Sequence, residues 1–127
     1  MRRAFLVASL LSGLAACASP EPAQTFVVFF PESSVRLDDR AKTMVRVAAD
    51  WAKMHPRLSI VVSGYANPPG STQADINTSA ARAQAVFDQL VGDGVSASRI
   101  ARTARGPTDY TLSSQENQQV EIRQGKG

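Results

Sequence analysis

Cysteine, histidine and tryptophan each occur once in this 127-residue chain, and tyrosine twice. A lone cysteine has no partner for an intramolecular disulfide, and one histidine plus one cysteine falls short of a metal-ligand set. His55 stands directly before Pro56, with no nucleophile or carboxylate beside it, so it reads as a helix cap rather than a catalytic base. Asp38-Asp39 is explained by helix capping without a catalytic carboxylate pair. The loop around Gly64 and Gly70 lacks the Gly-Lys-Ser/Thr of a phosphate cradle. No catalytic residue, cofactor or metal is expected. Charge of one sign is also scarce. Setting aside Arg2 and Arg3, which belong to a segment expected to be removed, leaves twelve of the 14 basic residues against 11 acidic ones. That balance offers no basic patch for nucleic acid.

No apolar run reaches membrane-spanning length. The longest, Ala4 to Ala16, follows Arg2-Arg3 and precedes the only cysteine, the layout of an export signal. Leu14-Ala15-Ala16-Cys17 also resembles the lipobox of bacterial lipoproteins, in which cleavage leaves a lipid-modified cysteine first. The competing explanation is an ordinary signal with an incidental or buried thiol. The expected organisation is a signal peptide over 1–16, a lipidated Cys17 with a short tether to residue 24, a domain over 25–124 and a tail over 125–127. Ala18 follows Cys17 where an Asp would favour inner-membrane retention, so the outer membrane, on its periplasmic face, is the expected location. Ala18 to Gln24 is polar with two prolines and reaches about 25 Å at full extension. A ~100-residue domain with a radius of gyration near 13 Å would stay close to the membrane surface.

What remains has the patterning of one folded unit. Thr25 to Phe30 is a β-forming apolar run stopped by Pro31. Asp38 is placed to cap a helix whose apolar stripe is Ala41, Met44, Val45, Ala48, Trp51 and Ala52, ending at His55-Pro56. Leu58 to Ser63 predicts a central strand. A second helix is expected from about Asp75 to Val91, with the stripe Ile76, Ala80, Ala83, Phe87 and Leu90 and a cap at Gly92-Asp93-Gly94. Arg99 to Ala104 and Gln119 to Arg123 read as the last strands, with a loop through Ser114 between them. The pattern predicts an α/β sandwich with helices packed on one sheet.

The stretch Gly64 to Val86, GYANPPGSTQADINTSAARAQAV, carries the functional signal. Arg82 lies among small residues, and its helical neighbours Thr78, Ser79, Ala85 and Val86 include no acid. On a wheel of about 100° per residue it sits some 120° from the centre of the predicted stripe, on one flank with Asp75 and Ser79. Two explanations stand: a structural ion pair with Glu116 or Glu121 brought across by folding, or a clamp for a ligand carboxylate.

This stretch resembles the OmpA-like (OmpA C-terminal, Pal-type) domain, whose members commonly bind peptidoglycan. That family's loop reads roughly Gly-His-Thr-Asp-x-x-Gly, then Asn, then Leu-Ser-x-x-Arg-Ala-x-x-Val. Gly64, Gly70, Ser79, Arg82, Ala83 and Val86 match it without a gap. Tyr65, Ala66, Asn67, Asp75 and Thr78 replace His, Thr, Asp, Asn and Leu. Near the end, Asn117-Gln118-Gln119 replaces Asn-Arg-Arg. The resemblance spans about Phe26 to Arg123. It implies a β-α-β-α-β-β α+β sandwich with two helices on one mixed sheet. It further implies a site in which Arg82 takes the carboxylate of diaminopimelate in the peptidoglycan stem. The family's Asp would take the ammonium, and Asn67 stands there uncharged. Tyr65, Ala66, Asp75 and Ser79 complete the implied site. Two roles follow: a lipid-anchored outer-membrane protein holding peptidoglycan, or a subunit of an envelope or secretion complex that uses the fold to hold a protein partner.

Overall fold

The computed structural model describes residues 23–31, 34–66, 72–107 and 118–125. Strand β1 (Gln24–Phe29) leads to helix α1 (Asp39–Met54), then β2 (Ser59–Ala66), helix α2 (Thr72–Gly92), β3 (Ile100–Pro107) and β4 (Gln119–Gly125). The four strands form one sheet in the order β1-β4-β2-β3. β2 and β3 run parallel, joined by α2, while β4 is antiparallel to both β1 and β2. The expected element order and the mixed sheet are both present.

Strand alternation decides which side is covered. Phe26, Val28, Ile60, Val62, Val120 and Ile122 are buried and form the sheet's contribution to the core. Burying each such side chain contributes about 1.5–3 kcal/mol, so this layer supplies much of the folding drive. The helices add Ala41, Val45, Ala48, Ala49 and Ala52 from α1, and Ala83, Val86 and Leu90 from α2. The alanines of α1 let its backbone lie close to the sheet.

Capping follows the sequence closely. The Asp38 carboxylate accepts from the Ala41 amide at 2.8 Å, satisfying one orphan donor of α1. His55 caps the other end, its amide bonding the Trp51 and Ala52 carbonyls and its ring stacked on Trp51 at 3.9 Å. α2 stops where Gly94 takes φ +100°, and the amides of Gly94 and Val95 turn back to the carbonyls of Val91 and Leu90. That double return is a Schellman closure, with buried Val95 and Leu90 supplying its apolar contact.

Two expectations need correction. Met44, placed on the α1 core stripe, is 37% exposed, and Ala49 takes a core position instead. The third strand begins at Ile100, not Arg99. Arg99 closes a 3₁₀ turn (Ala97–Arg99) and reaches back to the carbonyls of Ala52, His55 and Leu58 at 3.0, 2.9 and 2.9 Å. The Ala52 and His55 carbonyls already accept from the His55 and Leu58 amides, and the guanidinium takes their second lone pairs together with the Leu58 carbonyl, tying the end of α1 to the residue before β2.

Candidate functional site

The larger correction concerns α2. Its buried face is Ser79, Arg82, Ala83, Val86 and Leu90, while Ala80 is exposed and Ile76 and Phe87 are only half-buried. The helix is thus rotated from the orientation its apolar residues suggested, and Arg82 is 2% exposed rather than on a flank. The cause lies in two contacts. Gly64 has no side chain, so the Ser79 backbone lies directly against β2 where a Cβ would collide with its carbonyl. Phe87 moves to the rim, where the Arg102 guanidinium covers its ring at 4.3 Å.

Arg82 therefore enters the space between sheet and helices at the carboxyl end of β2. Its Nε donates to the Ser34 carbonyl at 2.9 Å, and Nη1 reaches the Tyr65 carbonyl at 3.5 Å. The guanidinium lies 5.4 Å from the centre of the Phe30 ring, within cation–π range. Burial disfavours the charged form and lowers the guanidinium pKa from its ordinary value. Arginine nonetheless stays protonated at neutral pH.

Among the described residues no carboxylate lies within ion-pair distance of Arg82; the one ion pair there joins Lys53 and Asp50 at 3.2 Å. Of the two acids expected as partners, Glu116 lies outside the described residues. Glu121 is engaged elsewhere, accepting from the Tyr65 hydroxyl and from the Gln119 side-chain amide, each at 3.3 Å. Two backbone carbonyls orient the guanidinium without neutralising it. A guanidinium has five N–H donors, so the contacts to Ser34 and Tyr65 leave capacity for a planar anion.

The other expected site residues divide. Tyr65 offers its carbonyl to Arg82, but its ring leaves on the opposite sheet face toward Glu121. Ser79 is fully buried and its hydroxyl donates to the Ile76 carbonyl at 2.8 Å, so it supports the close approach of α2. Asp75 is half-buried in the first turn of α2, where a carboxylate suits the helix dipole. Ala66 ends β2. Asn67 and Cys17 lie outside the described residues. The register of β2 against β3 shifts between Gly64 and Tyr65, a bulge at the site's edge.

Sequence reasoning missed Ser34 and Phe30, which hold Arg82. Phe30 could have been flagged as the residue closing the first apolar run. Nothing local marks Ser34, because its contact spans 48 residues.

The OmpA family profile matches residues 29–123, a span holding every one of these contacts. The chain belongs to the OmpA family. Peptidoglycan-associated lipoproteins are among its relatives. That of Mesorhizobium japonicum is 33% identical over 98 residues, covering 72% of this chain and 58% of that protein. That of Agrobacterium fabrum is 31% identical over 100 residues, covering 74% and 56%. The chain thus spans somewhat over half the length of these relatives. Solved structures of the OmpA-like fold superpose well. The peptidoglycan-associated lipoprotein of Burkholderia pseudomallei gives a TM-score of 0.70 at 20% identity, covering 78% of this chain and 89% of that one. The OmpA-like domain of Francisella tularensis FopA1 gives 0.69 at 22% identity, covering 82% and 73%. At these identities the likeness establishes the OmpA-like fold of the chain.

Proposed function

We propose that this protein is a lipid-anchored component of the outer membrane whose OmpA-family domain binds peptidoglycan stem peptides without covalent attachment. The observation that carries this reading is Arg82: a buried guanidinium, aimed by Ser34 and Tyr65, with no carboxylate partner among the described residues. A buried charge is costly unless an anion meets it, and a stem-peptide carboxylate would do so through the remaining N–H donors. Relatives named peptidoglycan-associated lipoprotein support the choice of ligand. The lipobox ending at Cys17 supports the anchor.

In this reading Arg82 takes the carboxylate of a diaminopimelate residue. Asn67, the next residue in sequence after β2, accepts from its ammonium, as the family resemblance implies. Asp75 and Ser79 hold the helix that presents Arg82. An uncharged Asn forms a bond about half as strong as a charge-assisted one, a deficit of roughly 1–2 kcal/mol or about tenfold in affinity. The test is co-sedimentation with purified sacculi. Wild type is expected in the pellet, Arg82→Gln in the supernatant, and Asn67→Asp in the pellet about tenfold more tightly. A soluble wild type beside a pelleting Asn67→Asp would overturn the reading and leave the fold to hold a protein partner.

A further inference from the structure

The first turn of α2 lies at the same end of the domain as the Arg82 guanidinium. β2 and β3 run parallel with α2 between them in the chain, so α2 runs back against β2 and begins where β2 ends. The contact of Gly64 with Ser79 fixes the heights. From it, two strand residues rise about 6.6 Å and four helix residues about 6 Å, which sets Asp75 level with Ala66, the last residue of β2. The Arg82 guanidinium reaches the carbonyl of Tyr65, one strand residue lower.

Asp75 and Arg82 also share a face. Seven helical residues make two turns less about 20°, so Asp75 stands almost directly above Arg82, with the small Ser79 between them. That line falls within the inward face formed by Ser79, Arg82, Ala83, Val86 and Leu90, and Asp75 is half-buried at its rim. Among the described residues no cation lies within ion-pair distance of Asp75, and no acid lies within that distance of Arg82. The other described carboxylates near this end are committed. Asp38 caps α1 through the Ala41 amide, and Glu121 accepts from the Tyr65 hydroxyl on the far side of the sheet. Asn67 brings no charge. One cation and one anion thus face the same space without meeting.

Resting on the stem-peptide reading above, we propose that Asp75 supplies the counter-charge for the ligand's ammonium, so that Asp75 and Arg82 together hold a free amino-acid group. Such a group carries both charges on one carbon, with the ammonium nitrogen and the carboxyl carbon about 2.5 Å apart. It bridges a gap too wide for a direct ion pair and gives each protein charge a charge-assisted hydrogen bond. The order of the two contacts follows from depth. The guanidinium, buried between sheet and helices, receives the carboxylate, and Asp75 at the rim meets the ammonium. A ligand with the ammonium alone leaves a buried cation uncompensated, and one with the carboxylate alone leaves Asp75 without a partner. The site therefore selects a free zwitterionic group over its deaminated or amidated forms. Asp75 makes up the charge that Asn67 lacks.

Titration calorimetry of the full chain in detergent tests this with two stem tripeptides that differ at the third residue. One carries diaminopimelate, and the other carries 2-aminopimelate, which keeps the distal carboxylate and lacks the distal ammonium. Wild type is expected to bind the first about tenfold more tightly than the second. Asp75→Asn is expected to lose that preference, weakening the diaminopimelate peptide about tenfold and leaving the aminopimelate peptide unchanged. A variant that keeps the preference, or that weakens both peptides equally as a mere support of the helix would, overturns the proposal while stem-peptide binding stands. A wild type that binds neither peptide overturns the stem-peptide reading, and the role of Asp75 falls with it. Where a melting curve shows that Asp75→Asn does not fold, Asp75→Ser, also suited to a first helical turn, decides in its place.

Discussion

Gly64 and Ser79 touch backbone to backbone: a Cβ on Gly64 would collide with the Ser79 carbonyl and come within 3.3 Å of the Ala83 methyl. This contact sets the distance of α2 from β2 and turns Arg82 inward.

Gly64→Ala is therefore expected to cost about 1–3 kcal/mol, the usual penalty for forcing a methyl into a packed interface. In a domain of this size each kcal/mol lowers the melting temperature by roughly 4–8 °C. Denaturant titration would show a shifted midpoint with unchanged slope. A midpoint identical to wild type would mean that α2 does not rest on that contact.

Arg99→Ala removes three hydrogen bonds to the carbonyls of Ala52, His55 and Leu58. Water can reach part of this site, so the expected loss is about 2–3 kcal/mol rather than the full sum for charged bonds. Hydrogen exchange would show protection lost first in the last turn of α1 and the start of β2. Arg99→Lys would recover only a fraction, since an ammonium cannot span all three carbonyls.

Gln124→Met is expected to be nearly neutral, within about 1 kcal/mol. Gln124 is fully buried, and its amide donates to the Ala48 carbonyl at 2.8 Å while its own Oε1 has no partner. That carbonyl keeps its place in the helical ladder after substitution, and the orphaned oxygen disappears. A large loss of stability in thermal melts would show that the single bond outweighs the orphan.

A diaminopimelate-containing stem peptide is expected to raise the melting temperature of the wild-type protein and leave that of Arg82→Gln unchanged. At a ligand concentration 100 times the dissociation constant the stabilisation is about 2.7 kcal/mol. Equal shifts in both proteins would place the peptide away from Arg82.

The legible parts of the fold were those written in short-range pattern. The Asp38 cap, the His55 stop and the glycine closure at Gly94 each depend on residues within a few positions, and each is found as expected. The orientation of α2 was not legible. Its apolar residues are too evenly spread for periodicity to fix a face, and the deciding contact with Gly64 comes from another element. The setting of Arg82 was hidden for the same reason, since Ser34 and Phe30 reach it only through folding.

By itself the sequence determined the element order, the helix caps and the presence of one arginine without a local acid, because strand and helix patterning and capping are local properties. Only the tertiary structure decided that this arginine is buried, which carbonyls aim it, and that Glu121 turns to Tyr65 instead. Those outcomes depend on which backbones can approach most closely, and here a missing side chain at Gly64 settles that distance.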